Sequence, residues 1–258
     1  FQGARPIFAD VRPDTLTLDP DQLARHLSPR TKAILPVDYA GHPAELAAIR
    51  AFADRRGLVV IEDACQALGA ELGGRRVGRL SHLTAFSFHP VKPITTGEGG
   101  MVTTDDPQLA RRLRLFRNHG LDLDAEPPAE WPWAPDMVTL GYNYRLADIG
   151  CALGWSQLRR LEASLARRRA LAARYAEALA ELPGVQPPVE RPDARHAWHL
   201  YPIRLEPALE VDRDEAIRAL RAEGIAATVH HRPVHLEPFY RGLGHAPREC
   251  PVAEEEAG

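Results

Sequence analysis

Short apolar runs alternate with segments of helical periodicity through the first half of the chain. Runs that end in polar residues predict β-strands, at 6–11, 32–38, 58–63, 83–89 and 100–105. Apolar residues spaced three and four apart predict helices between these strands, at 43–56 and 107–118, with a further helix beginning at Asp19. This alternation indicates an α/β domain with a mainly parallel sheet. The continuous apolar run 58–63 further predicts a strand covered on both faces.

The pattern changes in the second half. A Pro- and Trp-rich loop occupies 122–136, and loops of that length are often lids or subunit contacts. A helical pattern follows over 146–182. The last part predicts a smaller α+β unit, with a strand at 197–205, a helix at 212–223 and a strand at 225–231.

Composition narrows the class of protein. The apolar share is 45% and the charged share 26%, which is typical of a soluble globular protein. A net charge of −3 argues against a nucleic-acid partner, and no apolar run is long enough to predict a membrane span. Cys65, Cys151 and Cys250 are odd in number and far apart, which argues against a disulfide framework or a zinc site. A reducing compartment fits them, so we expect a cytoplasmic protein.

Candidate chemistry collects where the predicted strands end. Asp63 ends one strand, Ser87 and His89 end the next, and Lys92 follows between two prolines. Ligands of open α/β sheets bind at the carboxyl ends of the strands. A desolvated lysine is a nucleophile for carbonyl groups. Lysine with a buried aspartate is the pair that pyridoxal phosphate requires, one for the Schiff base and one for the pyridine nitrogen.

Simpler interpretations remain open at this point. Asp63 could cap a helix that begins at Ala64, and Lys92 could be an ordinary surface charge. Metal ligation is conceivable for four histidines, His89, His230, His231 and His235. Their spacing matches no known metal-binding pattern, so we predict no metal site. Spacing alone therefore predicts no more than an α/β enzyme with a Schiff-base lysine.

Three ordered motifs narrow this interpretation. The segments 62–70, 86–100 and 141–146 closely resemble the nucleotide-sugar aminotransferases of the DegT/DnrJ/StrS type. The resemblance implies the fold type I of pyridoxal phosphate enzymes, aspartate aminotransferase-like, with a mainly parallel central sheet and a smaller C-terminal α+β domain. Residues 1–155 then belong to the large cofactor-binding domain, and 156–258 to a linking helix and part of the small domain. The resemblance also implies that the chain is incomplete at both ends, so that it binds cofactor poorly by itself.

The resemblance implies a role for each matching residue. Lys92 corresponds to the lysine that forms the Schiff base and then shuttles a proton, and Asp63 to the partner of the pyridine nitrogen. Gln66 corresponds to a contact on the 3-hydroxyl side of the cofactor, and Ser87 to a ligand of its phosphate. Asn143 corresponds to a residue that reaches the neighbouring subunit's phosphate, which implies a homodimer with shared active sites. Substrate contacts are expected from His89, His196, His230 and His235.

The lysine loop, 89–96, resembles the branch of the family that aminates UDP-linked 4-keto-6-deoxy-hexosamines. The implied reaction takes an amino group from a donor such as L-glutamate and places it on C4 of the nucleotide sugar. Lys92 argues against the related dehydratases, in which histidine replaces the lysine. The alternatives are another nucleotide-linked keto sugar (of the 4-amino-4-deoxy-L-arabinose, perosamine or 3-amino type) and a non-catalytic chain that keeps the fold.

Overall fold

A computed structural model describes residues 3–209 and 211–257. The helices are α1 (Leu46–Asp54), α2 (Pro107–Arg117), α3 (Asp148–Leu158), α4 (Leu161–Leu179), α5 (Arg213–Ala222), α6 (Pro238–Gly242) and α7 (Pro251–Glu255). The strands are β1 (Ala33–Ile34), β2 (Val59–Asp63), β3 (Glu71–Leu72), β4 (Arg75–Arg76), β5 (Leu83–Ser87), β6 (Gly100–Thr103), β7 (Val185–Gln186), β8 (Ala194–Arg195) and β9 (Arg204–Leu205). Short 3-10 helices lie at Pro20–His26, Tyr39–Gly41, Pro207–Leu209 and Val234–Leu236.

The central sheet has four strands in the order β1-β2-β5-β6. β1, β2 and β5 run parallel, and only the edge strand β6 is antiparallel to its neighbour. The α/β class and the mainly parallel sheet predicted from the sequence are therefore confirmed. Two smaller antiparallel sheets, β4-β3-β8 and β7-β9, complete the strand pairing in the described part of the chain.

Helix α1 closes one face of this sheet. Its buried residues Leu46, Ile49 and Ala53 recur at the helical spacing of three and four, so they share one side of the helix. They pack with Ile34 and Val60, which point from β1 and β2 into the same core. Burial of these apolar side chains is the main force that holds the helix on the sheet.

The opposite face of the sheet is more open. Along β2, Val60 and Glu62 are buried, whereas Val59, Ile61 and Asp63 are only partly buried. The prediction that 58–63 is covered on both faces is therefore wrong for the described residues. The reason is that α1 covers only one side, while side chains alternate between the two sides of a strand.

Several predicted elements in the second half also differ. The helical pattern 146–182 divides into α3 and α4, with the break at residues 159–160. Of the predicted strand 197–205, only the last two residues form a strand, β9. The amides of Ala197 and Leu200 donate instead to the carbonyls of Gly41 and Ala40. The run 225–231 forms no strand. None of the helices among the described residues is both long and apolar enough to cross a membrane.

Near the start of the chain, the predicted strand 6–11 makes only an isolated bridge, between Val11 and Leu18. Asp10 is buried there, and its carboxylate accepts the amides of Val252 and Ala253 at the beginning of α7. The first described residues are thus held by the C-terminal helix instead of by a neighbouring strand.

Candidate active site

The open face of the sheet ends in two polar side chains. Asp63 ends β2 and Ser87 ends β5, and both are partly buried. Asp63 is paired in register with Ala85, a residue whose side chain is only a methyl group. The Asp63 carboxylate accepts the amide of Cys65 at 3.0 Å, in a turn and not at the start of a helix. The helix-capping interpretation of Asp63 is therefore wrong.

The backbone of Asp63 is held from the side of β1. Its amide donates to the Pro36 carbonyl at 2.9 Å, and its carbonyl accepts the Asp38 amide at 3.0 Å. These two bonds extend the parallel pairing of β1 and β2 beyond the last residues of β1. The position of the Asp63 carboxylate therefore depends on the end of the neighbouring strand.

Gln66 links this edge of the sheet to a distant segment. Its Oε1 accepts the Ala40 amide at 2.6 Å, and its Nε2 lies 2.9 Å from Nε2 of His230. Because an amide nitrogen only donates, His230 accepts here, and one Gln66 hydrogen remains for a ligand. The Tyr39 hydroxyl donates to the His230 carbonyl at 2.6 Å, which fixes the same segment a second time.

Lys92 lies in the loop after β5. Its amide donates to the His89 carbonyl at 2.9 Å and closes a tight turn. Its side chain is partly buried. The positive charge of Lys92 is close enough to influence three groups, Cys65, His199 and His230. The structure therefore brings Lys92 to the segment that contains Asp63 and Gln66, and to His230.

The surroundings of Lys92 favour neutral histidines. Burial, with smaller effects from the charges of Lys92 and Arg168, lowers the pKa of His199 to about 4. Burial and the neighbouring His231 lower the pKa of His230, and Lys92 acts in the same direction. Both rings are thus expected to be uncharged near neutral pH, able to donate through one nitrogen and accept through the other.

Burial, followed by hydrogen bonding to Asp63 and its charge, raises the pKa of the Cys65 thiol to about 12, against the effect of Lys92. Cys65 is therefore a neutral, partly buried neighbour of Asp63 and not a thiolate. Cys65, Tyr39 and His199 were not predicted as site residues from the sequence. Tyr39 directly follows the predicted strand 32–38, so its position at a strand end was the available signal.

His89 lies at the exposed side of the lysine turn. Its amide donates to the Ser87 hydroxyl at 3.3 Å, and its Nε2 is 3.8 Å from the Glu98 carboxylate. The ring is thus near the strand end, facing an acidic residue of the same loop. Its predicted contact with a substrate stays a prediction.

Two other predicted substrate residues lie in packed clusters. His196 is buried, stacks on Trp198 at a centroid distance of 3.9 Å and meets the His42 ring at 5.5 Å. His235 is buried, with its Nε2 2.8 Å from Glu254. The recorded contacts of both rings are those of packing residues, and none joins them to Lys92. Their substrate role stays a prediction.

Asn143 lies at the surface, in a segment that bridges to Asn118. The neighbouring Tyr142 and Tyr144 are exposed and stack on each other at 4.8 Å. Arg145 fixes the segment by donating to the Asn118 side chain at 2.7 Å. In this chain Asn143 is therefore presented outward from its bridge. Its predicted reach into a neighbouring subunit stays a prediction.

The chain resembles known proteins in sequence and in fold. A sequence profile of the DegT/DnrJ/EryC1/StrS aminotransferase family matches residues 1–257. The chain belongs to this family. Its members are pyridoxal-phosphate-dependent sugar aminotransferases, and the α/β architecture described above is their fold. The resemblance inferred from the three motifs is thereby confirmed.

Individual relatives match nearly the whole chain. An uncharacterized protein of Methanocaldococcus jannaschii, MJ1066, is 39% identical over 98% of this chain and 67% of its own length. DesV of S. venezuelae, solved in complex with a ketimine intermediate, is 41% identical with a TM-score of 0.88, over 99% of this chain and 65% of DesV. Helicobacter pylori PseC, an aminotransferase of pseudoaminic acid biosynthesis, is 32% identical with a TM-score of 0.90, over 99% of this chain and 67% of PseC. The chain thus spans about two thirds of these relatives.

The residues at the strand ends fit the family's cofactor chemically. Lys92 would supply the amine, Asp63 a carboxylate for the pyridine nitrogen, Ser87 a hydroxyl and Gln66 a free amide hydrogen. Ala85, which is paired with Asp63, carries only a methyl group at the same strand end. Nothing in this donor set conflicts with pyridoxal phosphate.

Proposed function

We propose that the protein transfers an amino group from L-glutamate to C4 of a UDP-linked 4-keto-6-deoxy-hexosamine, with pyridoxal phosphate as cofactor. This is the reaction type of UDP-4-amino-4,6-dideoxy-N-acetyl-β-L-altrosamine transaminase, in pseudaminic acid biosynthesis. The observation that carries the proposal is the approach of Lys92 to the segment of Asp63 and Gln66 at the strand ends. The similarity to PseC supports the choice of sugar.

The bound cofactor would act as an electron sink for the carbon that loses its proton. Asp63, at the end of β2 on the open face, would hold a proton on the pyridine nitrogen, which would strengthen that sink in the transition state. Lys92 would hold the cofactor through Nζ, and its amine would accept a proton at one carbon and return it at another. Gln66 and Ser87 would orient the ring and the phosphate, so that the reacting atoms stay aligned with Nζ.

A second candidate substrate is a TDP-linked keto sugar. DesV is 41% identical to this chain, above the 32% of PseC. DesI, 36% identical with a TM-score of 0.86, was solved with its TDP-sugar product. The two candidates differ in the nucleotide and in the sugar ring, while the roles of Lys92 and Asp63 are the same in both.

We also propose that the protein acts as a homodimer in which Asn143 completes the partner's site. The support is its outward position, together with a set of exposed apolar residues nearby, Trp131, Trp133, Leu140, Ile149 and Trp155. Exposed apolar surface of this kind is typical of an interaction site. The three free cysteines fit a compartment that keeps thiols reduced.

The lysine content allows a sharp test of cofactor attachment. The sequence contains two lysines, Lys32 and Lys92, and Lys32 is exposed directly before β1. Borohydride reduction of the protein with pyridoxal phosphate should give one stable adduct, found on Lys92 by peptide mass spectrometry. Lys92→Ala should remove the adduct and the activity, and Lys32→Ala should keep both. An adduct that survives in Lys92→Ala would contradict the assignment.

Isotope-labelled L-glutamate separates the candidate substrates. The protein, loaded with pyridoxal phosphate, is given either the UDP-linked 4-keto-6-deoxy-hexosamine or a TDP-linked keto sugar, and the products are analysed by mass spectrometry. The proposal expects label in the amine of the UDP-sugar. Label only in the TDP-sugar would select the second candidate. Absence of label in both, with Lys92 modified, would favour a non-catalytic chain.

Mixed dimers test the shared site. Lys92→Ala and Asn143→Ala should each be nearly inactive alone, since each variant spoils both sites of its own dimer. After subunit exchange, a mixed dimer holds one site with both residues intact, so activity should return to about a quarter of the wild-type level for random pairing. Failure to recover activity in a verified mixed dimer would contradict the role of Asn143.

A further inference from the structure

A pair of acidic side chains lies behind Asp63, on the closed face of the sheet. Asp38 follows β1, and Glu62 is the residue before Asp63 in β2. Both side chains are fully buried, at 0% exposure. Among residues 3–209 and 211–257, no lysine, arginine or histidine forms an ion pair with either. Two buried carboxyl groups without a cation need another source of stabilisation.

The strand register places the two groups side by side. Ile34 is paired with Val60, so Pro36 lies opposite Glu62 and Asp38 lies one diagonal step further along the same face. Such diagonal neighbours are within reach of a side chain as long as glutamate. After burial, Glu62 is the group that acts most strongly on the pKa of Asp38, which agrees with this proximity.

Each carboxyl group has one oxygen that is already satisfied. The Ala44 amide donates to Oδ1 of Asp38 at 2.9 Å, just before α1 begins. The Thr84 hydroxyl, from β5, donates to Oε2 of Glu62 at 2.7 Å. The remaining oxygens, Oδ2 of Asp38 and Oε1 of Glu62, are buried and accept nothing. Each acid thus lacks a donor at the oxygen that remains.

A single proton shared by Asp38 and Glu62 would remove the repulsion between the two carboxyl groups. Two ionised carboxylates in contact repel each other, and burial makes the repulsion stronger. If one of them is protonated, it becomes a donor to the other, and both unsatisfied oxygens take part in a charge-assisted hydrogen bond. The remaining single charge faces the Ala44 amide and the Thr84 hydroxyl.

We propose that Asp38 and Glu62 share one proton, and that this pair is a positioning device for the Asp63 carboxylate. The pair joins the ends of β1 and β2 to β5 and to the start of α1. Asp38 also donates its own amide to the Asp63 carbonyl, and Glu62 is covalently next to Asp63. A change in the pair therefore moves Asp63 relative to the pyridine nitrogen; this second part rests on the proposed function.

The directions of the pKa shifts agree with this arrangement. Burial, followed by the charge of Glu62, raises the pKa of Asp38 well above its ordinary value. Burial also raises the pKa of Glu62, and the neighbouring Asp38, Thr84 and Ser81 side chains act in the opposite direction. The Ser81 hydroxyl makes no hydrogen bond with Glu62. The other charged group that acts on Asp38 is Asp63, from the opposite face of β2. None of these neighbouring groups carries a positive charge. A shared proton is therefore what would stabilise the two acids.

Infrared difference spectroscopy on the protein without cofactor tests the shared proton directly. The wild type should show the carbonyl stretch of a protonated carboxylic acid at neutral pH. Asp38→Asn and Glu62→Gln should both lose this band, since the amide then supplies the donor to the carboxylate that remains. Asp19→Asn, which changes a mostly buried acid that caps the Pro20–His26 helix, should keep it. Absence of the band in the wild type, or its persistence in either pair variant, would overturn the proposal.

Proton linkage gives a second, independent measurement. Above the ordinary carboxyl pKa, the folded wild type holds a proton that the unfolded chain has released, so its stability should fall as pH rises. Between pH 5 and 7, the logarithm of the unfolding constant should therefore rise more steeply with pH than in Asp38→Asn, by about one per pH unit. Parallel lines would overturn the shared proton, because a purely steric role changes stability without changing this slope.

The positioning role is tested on protein loaded with pyridoxal phosphate. The pH midpoint of the absorbance of the bound cofactor should shift in Asp38→Asn and Glu62→Gln, and stay unchanged in Asp19→Asn. An unchanged midpoint in both pair variants would overturn the positioning role. If the wild type bound no pyridoxal phosphate, the proposed function and the positioning role would both fail, while the infrared band would still decide the shared proton.

Discussion

The two faces of the central sheet differ in what their side chains do. On the closed face, Ile34 and Val60 pack under α1, and the acids Asp38 and Glu62 are buried with them. On the open face, Leu35 and Val37 are exposed, and Asp63 and Ser87 end the strands beside the lysine loop. Neighbouring residues of one strand therefore belong to different environments.

The closed face contributes mainly to stability, and the open face carries the candidate site. Side chains in a strand point alternately to opposite faces, so a shift of one residue exchanges a core position for a site position. The core face keeps the strand ends in place, and the open face carries the groups that a cofactor would contact. Substitutions on the two faces should therefore have different consequences, even when they are adjacent in sequence.

The largest effect on stability is expected at Ile34, which is 6% exposed on the closed face. Ile34→Ala removes a buried side chain and leaves a cavity under α1, and should lower the free energy of unfolding by about 2–5 kcal/mol. Urea denaturation followed by circular dichroism measures the change. A loss below about 1 kcal/mol would show that the closed face is less well packed than described.

A comparable effect, but on activity, is expected at Asp63. Asp63→Asn keeps an oxygen for the Cys65 amide and should leave stability within about 0.5 kcal/mol of the wild type. It also removes the carboxylate that we propose as the partner of the pyridine nitrogen, so amino transfer should slow about 100- to 1000-fold. Steady-state rates with the nucleotide sugar check this. An unchanged rate with verified cofactor binding would remove Asp63 from the mechanism.

A smaller effect is expected on stability at acidic pH. It involves His196, a buried residue outside the central sheet. Burial, with smaller effects of His42 and Arg169, lowers the pKa of His196 to about 2. The unfolded chain therefore binds a proton below the ordinary value of 6.5 that the folded protein does not, and stability falls as pH falls. This group alone contributes about 1.4 kcal/mol per pH unit.

His196→Asn tests that contribution. The asparagine oxygen can accept the Trp198 amide in place of Nδ1, and it does not titrate. Between about pH 6 and 4, the stability of the variant should fall less steeply than that of the wild type, by about 1.4 kcal/mol per pH unit. Denaturant melts at several pH values measure the slopes, and equal slopes would contradict a neutral buried His196.

The smallest effect is expected at Leu35, the residue next to Ile34 on the open face. Leu35 is 61% exposed, so Leu35→Ala removes little buried area and should change the free energy of unfolding by less than about 0.5 kcal/mol. The same denaturation experiment applies, with Ile34→Ala as the matched partner. A loss at Leu35 as large as at Ile34 would mean that both faces are closed in solution.

Much of the framework could be predicted from the sequence. Local periodicity predicted α1, α2 and α5, and the strands β2, β5 and β6, to within a few residues. The positions of Asp63 and Ser87 at strand ends, and of Lys92 in the loop that follows, could be predicted because each strand and its end are contiguous in sequence. The predicted strand 225–231 failed because its apolar residues satisfy a strand pattern, while no neighbouring strand in the described chain is available to pair with it.

The sequence by itself determined the α/β class, the family and the chemical groups at the strand ends, because each depends on residues close together along the chain. The tertiary structure decided which sheet face stays open, which histidines lie near Lys92, and that Asp38 lies beside Glu62. Gln66 and His230, for example, are 164 residues apart, and Tyr39 and His230 are 191 apart. Contacts over such separations depend on how whole elements pack, and no local spacing encodes them.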